Sequence, residues 1–317
     1  MFLPASSGAL SGRDAGAGKD EIRMADTLSG GPSGGIPVSQ VVRDAYAFFR
    51  ANWRRMVPAA VVLGVCVGVG EVLTLLSQAQ SAPPEQAIPG FLAGMIIQLL
   101  AGAAYSACVL RLAVRQEYVG RFGLSFGADE LRLLGAALSV AFLLMPVLLL
   151  AVIILSSLSL GPMIAAGGDP AQYAGDPQAL LQAIAESLDP SRAALVAIVG
   201  LLLLAVLLAL GVRLALVNAA TIGERRIVVL QTWPWSRGNV FRMFAVLLWT
   251  LPPTLICAIL VQGLADVFLG AGGTAGPVSF AVVGGLAAGL QAIASLPTIA
   301  AGAELYKGLR PSGFAPR

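Results

Sequence analysis

The sequence predicts an all-α, polytopic membrane protein with about six transmembrane helices and amphipathic interfacial helices between them. Three observations lead there. Of 317 residues, 57% are hydrophobic and only 12% charged, with a mean hydropathy of +0.83, whereas soluble domains carry about a quarter charged residues. The apolar residues gather into six runs, about 56–76, 91–112, 133–158, 193–217, 244–264 and 278–305, each long enough at roughly 1.5 Å per residue to cross a hydrocarbon core of about 30 Å. The basic residues fall between these runs, almost all on one side of them.

Residues 1–36 are Gly, Ser, Ala and charge without periodicity. Such a stretch cannot bury enough apolar surface to offset the entropy of ordering, so a disordered N-terminal segment is expected. It lacks the apolar core of a signal peptide, and either Met1 or Met24 can serve as the start. Gly16-Ala17-Gly18-Lys19 falls short of a phosphate-binding loop, because Arg13 and Asp20 stand where that motif needs Gly and Ser or Thr.

The integral membrane domain is placed at 37–306. Between Val38 and Arg55, the residues Val38, Val41, Val42, Ala45, Tyr46, Phe49 and Trp53 recur at helical spacing, with Arg43, Asp44, Arg50 and Arg54 opposite. That pattern predicts an interfacial helix. In the first span, Gly64 and Gly68 form a GxxxG pair suited to close helix contact. After the second span, Arg111, Arg115, Glu117, Arg121, Asp129, Glu130 and Arg132 punctuate a segment whose Leu124, Phe126, Leu131 and Leu134 suggest a second surface helix. Pro146 predicts a kink in the third span.

In the 161–192 loop, Asp176-Pro177 and Asp189-Pro190 each read as an N-cap followed by proline at the first helical position. Thr221 to Met243, basic and aromatic, reads as a third surface helix. The consecutive prolines Pro252 and Pro253 break the fifth span, and the sixth carries Gly285, Gly289 and Pro297. Residues 307–317 form a short basic tail.

Of the twenty basic residues, seven precede the first span, four follow the second, five follow the fourth and three close the chain, leaving only Arg192 on the other side. Positive charge near span ends stays cytoplasmic. Both termini are therefore expected in the cytoplasm and the 161–192 loop in the periplasm. Eighteen of the twenty are arginine, and Ala and Gly abound, which suits a GC-rich bacterial genome and hence a bacterial inner membrane. Arg50-Ala-Asn52-Trp-Arg-Arg55-Met56 and Arg237-Gly-Asn239-Val-Phe-Arg242-Met243 match at identical spacing, 187 residues apart. The plan becomes a candidate threefold repeat of surface helix plus membrane hairpin.

The chain holds no histidine, and its three cysteines, Cys66, Cys108 and Cys257, sit in apolar runs where a thiol behaves as a small hydrophobe. No metal site, disulfide or cofactor is expected. The basic residues lie by membrane loop rather than on a polar fold, so nucleic acid is not an expected partner. A nucleophile, its base and an oxyanion donor cannot be assembled, so no catalytic residue is assigned and a non-enzymatic role is expected. Ionisable groups inside a bilayer are functional hypotheses by default, which singles out Glu71. With Gln98, Asn218, Gln262 and Gln291 as polar company, Glu71 and the Pro252-Pro253 break outline a small-solute transporter or channel. Arg213, near the end of the fourth span, is expected to snorkel to the interface. Glu304 beside Lys307 reads as an interfacial pair.

The arginine and tryptophan faces point elsewhere. Arg50, Trp53, Arg55, Trp233, Trp235, Arg237, Asn239 and Arg242 have the composition that sits at headgroup level and attracts anionic lipid, each basic residue contributing on the order of 1 kcal/mol. Membrane lipids are the expected partners, with an envelope protein or a second copy through the GxxxG faces as further ones. The run Arg213 to Met243, with its Glu-Arg turn and Thr-Trp-Pro-Trp-Ser-Arg-Gly-Asn before a span, and the Ala-Tyr-Ala-Phe-Phe-Arg-Ala-Asn-Trp stretch near the start resemble uncharacterised bacterial membrane proteins related to the membrane domain of glycerophosphoryl diester phosphodiesterases. The likeness covers most of residues 38–306, and Pro234 departs from the leucine-like residue expected there. In the fused phosphodiesterases a separate soluble barrel carries catalysis, so the resemblance implies a membrane module and transfers no catalytic residue.

Overall fold

The computed structural model describes residues 35–78, 84–120, 122–165, 167–173, 177–270 and 276–311. The segment up to residue 34, Arg121, the expected cap Asp176 and the tail from 312 lie outside the described residues. Among the described residues all regular structure is helical: α1 Val38–Gln78, α2 Pro84–Arg115, α3 Ala128–Ala165, α4 Pro177–Ser187, α5 Pro190–Gly223, α6 Val240–Thr250, α7 Pro252–Gly270, α8 Pro277–Ala294 and α9 Leu296–Leu309. Single 3-10 turns occur at Pro170–Tyr173 and Leu230–Thr232. Five stretches (α1, α2, α3, α5 and α8 with α9) are long and apolar enough to cross a membrane, and a sixth forms if α6 and α7, bent by 43°, count as one span. The architecture is that of a multi-pass membrane protein.

The surface helices differ from expectation. The first is not separate, because α1 runs unbroken for 41 residues from Val38 through Pro58 to Gln78. Pro58 costs one ladder bond and a ring contact, and the helix is held on both sides of it by burial: Val41 and Ala45 in one core cluster, Met56, Ala59 and Ala60 in a second, with Phe48 packed against both. The second is replaced by irregular chain up to Gly127, with Gln116, Gly120 and Gly123 at positive φ. The third is a series of turns between Gly223 and Val240, because Arg225 and Gly238 adopt φ of 54° and 76° and Pro234 cannot donate to a helical ladder. The two repeat copies therefore diverge in structure. Asn52 lies within a helix and donates to the Phe48 carbonyl, whereas Asn239 precedes the first residue of α6. Both copies still end on a fully buried methionine, Met56 and Met243.

Helix α1 lies between α2 and α8, and glycine sets both contacts. A Cβ on Gly64 or Gly68 would collide with the backbone oxygen of Gly285 or Ala281. Gly289 faces the Ala60 carbonyl, so the two GxxxG pairs meet each other within one chain. On the other side Gly70 and Gly94 meet in the same way.

The breaks in the last two spans lie side by side. Pro253 has no N–H to give the Trp249 carbonyl, and the Tyr46 hydroxyl donates to it at 3.0 Å. Thr298 Oγ1 donates to the Thr250 carbonyl, Thr254 Oγ1 to Ala294, and Gln291 Nε2 to the Thr254 carbonyl. Tyr105 donates to Ala292 at 2.7 Å. Neighbouring side chains thus satisfy backbone groups that the breaks would otherwise leave open in lipid. Pro146, by contrast, leaves α3 uninterrupted.

The hairpin of α3 and α5 stands outward, with Phe142 80% and Leu201 65% exposed; Ala136, Leu214 and Val217 pack its two helices together, and Leu133, Val212, Leu216 and Ala220 join its base to the main core. Asp189 caps α5 as expected, accepting from the Arg192 N–H at 2.8 Å with Pro190 next. Its hydrogen bond from Ser191 and that backbone bond hold its carboxyl below the usual range. This contribution is present above the ordinary carboxylate pKa and lost as pH falls through the lowered one. Asp189→Ala should therefore lower the melting temperature in micelles at neutral pH, and the difference from wild type should vanish at strongly acidic pH.

Candidate functional site at the arginine-rich end

Because the spans alternate in direction, the start of α1, the 116–127 and 224–239 segments and the end of α9 come together at one end. Ile36, Val41 and Ala45 pack there with Leu216, Ile222, Met243, Val246, Ala300 and Tyr306. Of the apolar face of the first half of α1, expected against lipid, Val41 and Ala45 are covered by protein, whereas Trp53 stays exposed.

Around this core runs a network of ions. Arg111 Nη2 lies 2.7 Å from Glu130 Oε1, with side chains only 6% and 2% exposed. This is a contact of charges, since the Nη2 and Nε donors of Arg111 have no aligned hydrogen-bond acceptor. Glu130 also accepts from the Gly127 N–H at 2.9 Å and from Ser125 Oγ at 3.3 Å, so it caps the start of α3 from within. Arg115 pairs with Asp129 at 2.8 Å and donates to the Ile222 carbonyl, which ties α2, α3 and α5 together. Asp129 also holds Arg132. On the far side Glu224 accepts from the Tyr306 hydroxyl at 2.6 Å and lies 2.9 Å from Arg310 Nε.

The predicted residues divide between inside and outside. Trp233 lies beneath Arg213, whose guanidinium carbon is 4.4 Å from the ring centroid. Arg213 is thus held against protein, a cation–π contact rather than simple snorkelling. Trp235 packs against Tyr306 with centroids 6.2 Å apart, and Asn239 Oδ1 accepts from the Ile36 N–H at 3.4 Å. Arg50, Trp53, Arg55, Arg237 and Arg242 are exposed, and Arg54 stacks over Trp53 at 5.3 Å. The inward acids Glu130 and Glu224 already hold arginines. The outer arginines, Arg43, Arg50, Arg54, Arg55, Arg237 and Arg242, form no ion pair among the described residues.

The polar residues of the spans do not converge. Glu71 is half-buried against Gly284 of α8, and Gln98 lies over Gly70. Asn218 is exposed, and Gln262 bonds Asp266 on its own helix. Glu304 and Lys307 form the expected pair at 2.8 Å. Among the described residues no group of His, Cys, Asp or Glu is arranged to hold a metal ion.

Sequence reasoning missed the Arg111–Glu130 and Glu224–Tyr306 contacts. The first had a signal, an arginine and a glutamate flanking one short connection at the ends of two spans. The second had none, its partners being 82 residues apart. Comparison with protein-family models, curated proteins and solved structures finds no match to this chain.

Proposed function

We propose that this chain is a non-enzymatic module of a bacterial inner membrane, with both termini cytoplasmic, that engages anionic lipid through its outer arginines and Trp53; an envelope protein is the other partner this surface suits. The observation that carries the reading is the sorting of charge at one end: the inward acids hold arginines within the fold, while Arg43, Arg50, Arg54, Arg55, Arg237 and Arg242 turn outward with no ion pair among the described residues. Surface arginines left in this way are attracted to an anionic leaflet, on the order of 1 kcal/mol each. The resemblance to membrane domains of glycerophosphoryl diester phosphodiesterases supports a module of this kind. Reporter fusions at residues 85, 125, 175, 230, 270 and 315 test the orientation. Signals alternating outside and inside in that order agree with it, and a cytoplasmic signal at residue 175 overturns it.

A second reading, a small-solute transporter, is favoured by Glu71, an acid in a membrane-spanning helix with no hydrogen bond or ion pair among the described residues. It is weakened at the Pro252-Pro253 break, where side chains from neighbouring helices already meet the opened carbonyls. Glu71→Gln abolishing a solute-dependent phenotype while Arg237→Ala leaves it intact is the outcome for a transporter. The lipid module expects the reverse.

A further inference from the structure

An open groove of about 840 Å³ runs between α1 and α8. Its walls are apolar side chains, among them Val61, Val65, Val69, Val282 and Leu286. Its floor is the glycine contact, where Gly64, Gly68, Gly285 and Gly289 contribute no side chain and leave a recess between the valine and leucine ridges. From Phe49 to Val72 it follows α1 for roughly 35 Å at helical rise, enough to run through the whole thickness of a hydrocarbon core. The same helices that pass the length and hydropathy test for a membrane span form both walls, so the recess opens to acyl chains rather than to water.

One end of the groove is chemically distinct. Phe49 and Trp53 line it there, Arg54 stacks on Trp53 at 5.3 Å, and Arg50 and Arg54 are exposed with no ion pair among the described residues. An indole at headgroup depth beside unpaired guanidinium groups matches a lipid whose head is anionic and whose tails are apolar. Arginine's planar fork, moreover, suits bidentate contact with a phosphate.

We infer that this groove holds the acyl chains of an anionic phospholipid from the arginine-side leaflet, with its phosphate between Arg50 and Arg54 and its glycerol region against Trp53. The inference rests on the proposed lipid engagement and names the place where it happens. The other outer arginines then attract lipid generally, while this pair retains one molecule.

The test reconstitutes the full chain in phosphatidylcholine vesicles containing a trace of phosphatidylglycerol or phosphatidylcholine with a photoactivatable acyl chain, and maps the adducts by peptide. Adducts should concentrate on residues 57–65 and 284–292, the half of the groove nearer the arginines, with the phosphatidylglycerol tracer well ahead. Arg50→Gln with Arg54→Gln should reduce that preference by up to about thirtyfold, as two arginines near an anionic headgroup allow. Val65→Trp, at a position 62% exposed where the larger ring enters the groove, should reduce groove adducts of both tracers and leave those on α3 and α5 unchanged.

Adducts as dense on Phe142 and Leu202 as in the groove, for either headgroup, would show an ordinary lipid annulus and overturn the inference. So would a groove preference that ignores the paired glutamine substitutions. Failure here is separable from failure of the broader reading. Uniform labelling along the spans by a chain whose fusions keep the expected orientation, and whose overall preference for the phosphatidylglycerol tracer still depends on Arg237 and Arg242, removes the groove alone. Indifference of every arginine variant to headgroup charge removes both.

Discussion

Glu130→Ala is expected to destabilise the protein by about 3–5 kcal/mol, the range for removing one partner of a buried ion pair. The carboxylate is 2% exposed, and its loss leaves Arg111, 6% exposed, charged in a protein interior with no other ion pair among the described residues. It also removes the cap that the Glu130 carboxylate gives the Gly127 N–H at the start of α3. Pairing the residues as methionines, Arg111→Met with Glu130→Met, removes the uncompensated charge and should recover most of the loss. About 1 kcal/mol should remain, the net worth of the lost capping hydrogen bond, because Gly127 is exposed and water can take the carboxylate's place. Glu304→Ala is the control: its pair with Lys307 is part-exposed, with 26% and 38% of the side chains accessible, and exposed pairs contribute less than about 1 kcal/mol. Unfolding by detergent titration, followed by helical circular dichroism, measures all three. Equal effects of Glu130→Ala and Glu304→Ala would mean that water reaches Glu130.

That pair also shows where sequence reading reaches and where it stops. The six apolar runs are legible because length and hydropathy are properties of contiguous residues, and α5 begins where Asp189-Pro190 predicts because a cap is a local device. Arg111 and Glu130 are each conspicuous in the sequence. Their charges nevertheless read as a solvated surface helix, since nothing local tells that Gln116, Gly120 and Gly123 take positive φ and fold the connection back. Trp233 and Trp235 have the composition of an interfacial belt, and composition does not reveal direction. Pro234 and Gly238 break the helix that would have carried both rings outward, leaving Trp233 under Arg213 and Trp235 on Tyr306. The outward arginines survive as a surface because no acid among the described residues pairs with them, a fact about three-dimensional neighbours. The GxxxG pairs were legible as contact faces, but whether Gly64 meets Gly285 or a second chain depends on packing that no spacing encodes.

Gly285→Leu is expected to have the second large effect, a loss of roughly 3 kcal/mol or more, beyond the usual range for overpacking. A Cβ on Gly64 meets the Gly285 backbone oxygen and one on Gly285 meets the Gly64 oxygen. A backbone cannot rotate aside as a side chain can, so α1 and α8 must separate along their contact. Even Gly64→Ala and Gly285→Ala should each cost about 1–3 kcal/mol, against a gain in helix propensity of about 1 kcal/mol. Gly102→Ala in α2 and Gly263→Ala in α7, where an added Cβ meets nothing within 4 Å, expose that gain alone and should leave stability unchanged or slightly raised. The double variant Gly64→Ala with Gly285→Ala should cost less than the sum of the singles, because one separation of the helices relieves both collisions and neighbouring sites are not additive. If the glycines instead joined two chains, each single variant would shift the oligomeric state in size-exclusion chromatography, and the unfolding midpoint would come to depend on protein concentration.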